Sequence, residues 1–137
     1  MEQKPQIQLI SIMTTQAFFN REKQISVEEY KQAKNNLKID IEKNFPQNDF
    51  FEVSLTLDLK QTFNDKALVE CKVTTCGVFK KNSEMSEIEL GNFCDINAAA
   101  IIFPFVREIV SNLSSKGGIQ PIILQPINFV ELKKQQP

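Results

Sequence analysis

The chain has 137 residues, 42% hydrophobic and 24% charged, with 16 basic against 17 acidic side chains and no histidine. That length fits one domain with a core of its own, and the near-zero net charge argues against a nucleic-acid partner. The missing histidine removes Ser-His and Cys-His nucleophile pairs and every His-containing zinc site, so neither catalysis nor a cofactor is expected. Cys71, Cys76 and Cys94 show no CxxC spacing. They read as small buried hydrophobes in a reducing compartment. Met1 to Pro5 lacks the apolar segment of a leader peptide, and no run approaches the ~20 apolar residues of a membrane span. The expectation is a cytoplasmic protein that does not insert into membranes.

Ile7 to Phe19 has β character with apolar residues on both parities, which requires burial on both sides or a register break near Ser11. Asn20 to Asn36 is polar; Ser26 with Glu29 forms a capping-box pattern for a short helix, against the alternative of a solvated connection. Leu37, Ile39 and Ile41 alternate with Lys38, Asp40 and Glu42 as a half-buried strand. Phe45-Pro46-Gln47-Asn48-Asp49 has turn chemistry. Phe51, Val53, Leu55, Leu57 and Leu59 alternate with polar residues, and Ala67, Val69, Cys71, Val73 and Thr75 return after Asn64-Asp65. This pattern predicts an antiparallel hairpin over 50–63 and 66–79.

Lys80 to Glu89 reads as a loop, and Leu90 to Asp95 is ambiguous. Beyond Asn97 the period becomes helical, with Ile101, Phe105, Ile109 and Leu113 in one row and Ile102, Val106 and Val110 in the next. Pro104 implies that the regular helix begins near Phe103 or kinks there. Gly117-Gly118 ends it, Ile119 to Leu124 is extended, and Pro126 is placed to open a last helix through Leu132. Residues 1–5 and 133–137 are expected to fray. The fold class is α+β: a four-stranded antiparallel sheet with two C-terminal helices, all in one domain.

Three motifs in order, Ile102-Phe103-Pro104-Phe105 with Arg107-Glu108, Lys116-Gly117-Gly118, and Leu124-Gln125-Pro126-Ile127-Asn128-Phe129, resemble the SecB family of protein-export chaperones. Phe51-Glu52-Val53 and Cys76-Gly77-Val78-Phe79 add to the resemblance, which runs from about Ile7 to Lys134. It implies an ATP-independent holdase for unfolded or precursor polypeptides, a homotetramer built as a dimer of dimers, and handover to the SecA motor.

By position, the resemblance places Phe45, Phe50, Phe79, Ile122, Leu124, Phe129 and Leu132 in a client-binding groove, although core walls have the same composition. Cys71, Val73 and Thr75 match an interface between dimers, with Ile109 added from the helix; a strand face packed under the helices is the competing reading. Arg107 and Glu108 read as a solvated or intersubunit ion pair. Lys72 stands at a position where the family has an acid for SecA, with Glu70 beside it, and Thr14, Thr15 and Gln16 replace further acids. Client binding therefore carries over more safely than SecA docking. A SecB-like chaperone for the antitoxin of a toxin–antitoxin system is one alternative. An α+β module enclosing a small apolar ligand is another, and a cysteine enzyme lacks a base.

Overall fold

The computed structural model describes residues 6–45 and 49–135. The ends 1–5 and 136–137, and most of the turn expected at 45–49, lie outside the described residues. Four antiparallel strands, β1 (Ile7–Arg21), β2 (Lys34–Asn44), β3 (Phe50–Phe63) and β4 (Lys66–Lys81), form one sheet in the order β1-β4-β3-β2. The meander β2-β3-β4 is closed by β1, which reaches β2 through a crossover carrying α1 (Val27–Gln32), a Greek-key arrangement.

The hairpin forms as its alternation predicts. Asn64 and Asp65 both have positive φ, 50° and 64°, the turn geometry that matches strand twist. Leu55, Leu57 and Leu59 lie opposite Thr75, Val73 and Cys71, so one sheet face is continuously apolar and buried. The other face carries the register row Lys38–Asp58–Lys72 and the pair Lys60–Glu70.

β1 resolves its mixed parity by bulging twice, between Leu9 and Ser11 and between Thr14 and Gln16. Each bulge moves the side chains to the opposite parity. Leu9, Ile12, Thr14, Ala17 and Phe19 therefore share the helix-side face despite their irregular spacing.

Four expectations need correction. The stretch expected as a loop after Lys80 holds the end of β4, then α2 (Glu87–Asn92), where the Ser86 hydroxyl accepts the Glu89 N–H at 3.1 Å. A π-helical segment (Phe93–Ala98) joins α2 to α3 (Ala99–Lys116), placing Pro104 inside the helix instead of at its start. Pro104 removes the N–H that would bond the Ala100 carbonyl, and both residues face solvent, where water can serve that carbonyl. The last helix, α4 (Phe129–Gln135), opens after Pro126, because Asn128 Oδ1 caps it by accepting the Glu131 N–H at 3.1 Å. Lys133 and Lys134, expected to fray, lie within it. Lys133 Nζ meets Asp95 at 3.1 Å, and Asp95 also pairs with Lys43 of β2 at 3.1 Å.

α3 lies across β4 and β3. Ala99, Ile102, Phe103, Val106 and Val110 are buried on the sheet, whereas the adjacent row leaves Ile101 39% and Phe105 46% exposed. The broad stripe is thus only half used within one chain.

Candidate functional site

The chain leaving β1 supplies one wall of an open cleft. Ser26 caps α1 by accepting the Glu29 N–H at 3.1 Å while its own N–H donates to Glu29 Oε1 at 3.0 Å, so the expected capping box is present. This hydrogen bonding holds the Glu29 carboxyl below its usual range. The box fixes how α1 presents Val27, Tyr30 and Lys31.

The opposite wall is the turn and extended segment that follow α3. Two contacts anchor it. Phe19 of β1 packs on Gly117 so closely that a Cβ there would lie 2.3 Å from the ring. Buried Ser114 donates to the Val110 carbonyl at 2.9 Å and accepts the Ile122 N–H at 2.8 Å, tying the extended segment back to the helix.

Between these walls lies a cleft of about 570 Å³ lined by Arg21, Ile25, Ser26, Val27, Tyr30, Lys31, Gly118, Ile119 and Gln120. Arg21 spans its end, donating to the carbonyls of Glu22 at 2.8 Å, Gly117 at 2.9 Å and Lys23 at 3.3 Å. A second open cleft of about 540 Å³ lies at α2, lined by Lys43, Phe45, Glu87, Leu90 and Gly91. Open clefts that mix apolar and polar side chains suit extended chain better than one rigid ligand.

The seven groove candidates do not line one surface. Phe79, Leu124 and Phe129 are buried in the core; Phe79 stacks on Phe51 with ring centroids 5.4 Å apart, and Phe129 meets Phe103 edge-on at 5.9 Å. Ile122 and Leu132 are half-buried against that core. Phe45 is 52% exposed at the second cleft. Phe50 lies on the uncovered sheet face with Lys80 5.6 Å from its ring centre. The crossover residues Ile25, Val27, Tyr30 and Lys31 were missed because the stretch from Asn20 to Asn36 reads as a polar connection. The signal for them was three apolar side chains clustered around a capping box.

Of the four interface candidates, Cys71, Val73 and Thr75 point beneath the helix layer at 1%, 0% and 1% exposure. The physical reason is register: all three face the same way as Leu55, Leu57 and Leu59. Only Ile109 keeps access, beside exposed Phe105 and Ile101 on α3. Leu9, Ile10 and Met13 of the edge strand β1 are also exposed. Arg107 and Glu108 form no ion pair with each other among the described residues; they line a third open cleft, of about 720 Å³, with Pro121 and Ile123.

Burial pushes the Cys71 and Cys94 thiols from 9.0 up to about 11, and it raises Cys76 as well, the reverse of what activates a nucleophile. No helix among the described residues is long and apolar enough to cross a membrane.

The family Preprotein translocase subunit SecB matches residues 1–137. The chain belongs to the SecB family. Relatives named Protein-export protein SecB include that of Wolbachia sp. subsp. Drosophila simulans (strain wRi), 33% identical over 94 residues, which cover 64% of this chain and 56% of the relative. The relative from Chromobacterium violaceum is 34% identical over 87 residues, covering 64% and 57%, and that from Rhodospirillum centenum is 29% identical over 105 residues, covering 77% and 62%. The matched stretch thus spans little more than half the length of these relatives. Among solved structures, a Mycobacterium tuberculosis SecB-like chaperone in complex with a peptide from the HigA1 antitoxin superposes with a TM-score of 0.78. It covers 90% of this chain and 91% of its own at 14% identity, a likeness of fold. The SecB fold here is the four-stranded antiparallel sheet with its C-terminal helices.

Proposed function

We propose that this SecB family member is a cytoplasmic, ATP-independent holdase, a binding protein and not an enzyme, that keeps unfolded or precursor polypeptides from aggregating. The observation that carries the reading is the crossover cleft, open at the surface and lined by Ile25, Val27, Tyr30 and Ile119 among polar side chains, in a chain of this family. An enclosed cavity would favour a small apolar ligand; the clefts at the crossover, at α2 and along α3 are open instead.

The unused row of α3 and the exposed residues of β1 support a homo-oligomer, a tetramer assembled from dimers, in which those surfaces meet a second copy. This moves the interface from Cys71, Val73 and Thr75 to Ile101, Phe105, Ile109 and the β1 edge.

Export through SecA is the finer proposal, and docking weaker than that of an acid-faced relative is its expected form. Asp58 stands in register between Lys38 and Lys72, so its charge is offset on both sides. A second reading, a chaperone dedicated to an antitoxin, is favoured by the peptide bound to the structural neighbour.

The experiment combines light-scattering mass with aggregation of a denatured protein diluted into buffer without nucleotide. Multiples of the chain mass and suppressed aggregation are expected; a monomer that leaves aggregation unchanged overturns the reading. Titration with SecA, with Lys72→Glu alongside, separates export from the antitoxin reading: binding that tightens with the substitution supports weakened docking.

A further inference from the structure

We propose that the crossover cleft selects unfolded segments carrying carboxylates among their apolar side chains and disfavours segments rich in lysine and arginine. The inference rests on the holdase reading and concerns the chemical class of chain that the cleft takes.

The cleft is lopsided in charge. Its lining contains two cations, Arg21 and Lys31, and no carboxylate. Arg21 spends its hydrogen bonds on three main-chain carbonyls, which orient the guanidinium without neutralising it. The ion pairs among the described residues involve Lys43, Lys133 and Lys134, so Lys31 is unneutralised as well. Lys23 adds a third cation in the adjoining depression, which it shares with Arg21.

Acids nearby do not cancel this excess. Glu29 stays charged, but it borders only the adjoining depression, where Arg21 and Lys23 outnumber it, and it does not line the cleft itself. Glu22 and Glu28 flank the cleft in sequence but do not line it.

Low-dielectric walls strengthen the field of a fixed cation, and a guanidinium held in place loses little freedom when a carboxylate arrives. An incoming lysine meets like charge and has no acid to pair with. Ile25, Val27, Tyr30 and Ile119 meanwhile supply sequence-tolerant apolar contact. The apolar walls set whether a segment binds, and the cations set which segments bind better. An exposed pair is worth at most a few-fold, so two cations together predict about a 5-fold preference at low salt.

The test uses fluorescein-labelled unstructured peptides that share one leucine–phenylalanine core and differ in flanks of glutamate, serine or lysine. Anisotropy titrations are run on the intact protein at low and high salt. The glutamate-flanked peptide is expected to bind about 5-fold more tightly than the lysine-flanked one at low salt, with the gap closing at high salt. Lys31→Glu, on the exposed side of α1, should erase or reverse the order, while Lys60→Glu on the uncovered sheet face should leave it intact. Equal affinities, a preference for lysine flanks, or equal effects of both substitutions overturn the inference while binding of the serine-flanked peptide sustains the holdase reading. Failure of all three peptides overturns both.

Discussion

Adding one methyl group at Gly117 should destabilise the protein by about 1–2 kcal/mol, and the reason is steric. Gly117 has φ −73° and ψ 0°, a conformation open to alanine, so backbone strain is not the cause. The new Cβ would sit 2.3 Å from Phe19 Cε1 and 2.6 Å from Cζ, and one of them must move. Phe19 lies on an edge strand and is half-buried, so its ring can swing outward instead of forcing the sheet apart. The loss is then roughly half of a phenylalanine's burial, about 1 kcal/mol, plus residual crowding. Phe19→Leu alone should cost about 1 kcal/mol, and the double variant should cost clearly less than the two losses together, because the shortened side chain leaves room for the methyl. Urea denaturation of the four proteins, compared at equal m-values, measures this coupling. Additive losses would refute the reasoning. Because the Gly117 carbonyl accepts from Arg21, the single variant should also weaken peptide binding at the crossover cleft, and Phe19→Leu should partly restore it.

A charge at Val73, buried in β4 on the sheet face beneath α3, should unfold the subunit at a cost of about 4 kcal/mol or more; circular dichroism would show lost structure, not folded dissociated chains. Ser114→Ala should cost about 1–2 kcal/mol by chemical denaturation, since it strands the Ile122 N–H, and hydrogen exchange should rise along residues 119–124. Gly91→Ala should stabilise by about 0.5–1 kcal/mol in the same assay, because it lies in α2 with open space where the methyl would go. The Cys71 and Cys94 thiols, raised from 9.0 to about 11, stay protonated longer in the folded chain than in the unfolded one, so stability should fall as pH rises through that interval; alkylation at pH 8 should be slow until denaturant is added.

The hairpin was legible because five apolar residues alternate without interruption from Phe51 to Leu59 and only one face can be buried. β1 was half legible: its apolar residues break parity, and a bulge is the only device that puts Leu9 and Ile12 on the same face. α2 was missed because six residues containing a glycine make too short a pattern to stand above a loop, and its stability comes from a serine cap and packing. The helix through Pro104 was misjudged because proline's cost depends on whether the orphaned carbonyl reaches water, which only the fold decides. The site was least legible. Phe79, Leu124 and Phe129 have the composition of a groove wall but face inward, while the crossover cleft joins Arg21 to Gly118, nearly a hundred positions apart in sequence.

The two bulges of β1 also bear on how the strand can change in length. Ile10 and Thr15 are the residues skipped in the pairing with β4: Leu9 pairs with Phe79 and Ser11 with the next residue, Val78; Thr14 pairs with Thr75 and Gln16 with Thr74. Removing either residue would close its gap and leave every other partner where it was. An insertion or deletion between them can be absorbed by sliding a bulge, where in an unbroken strand it would turn every later side chain over. The strand thus carries slack, and its length can drift by a residue or two while Phe19 and Arg21 keep their places against the end of α3.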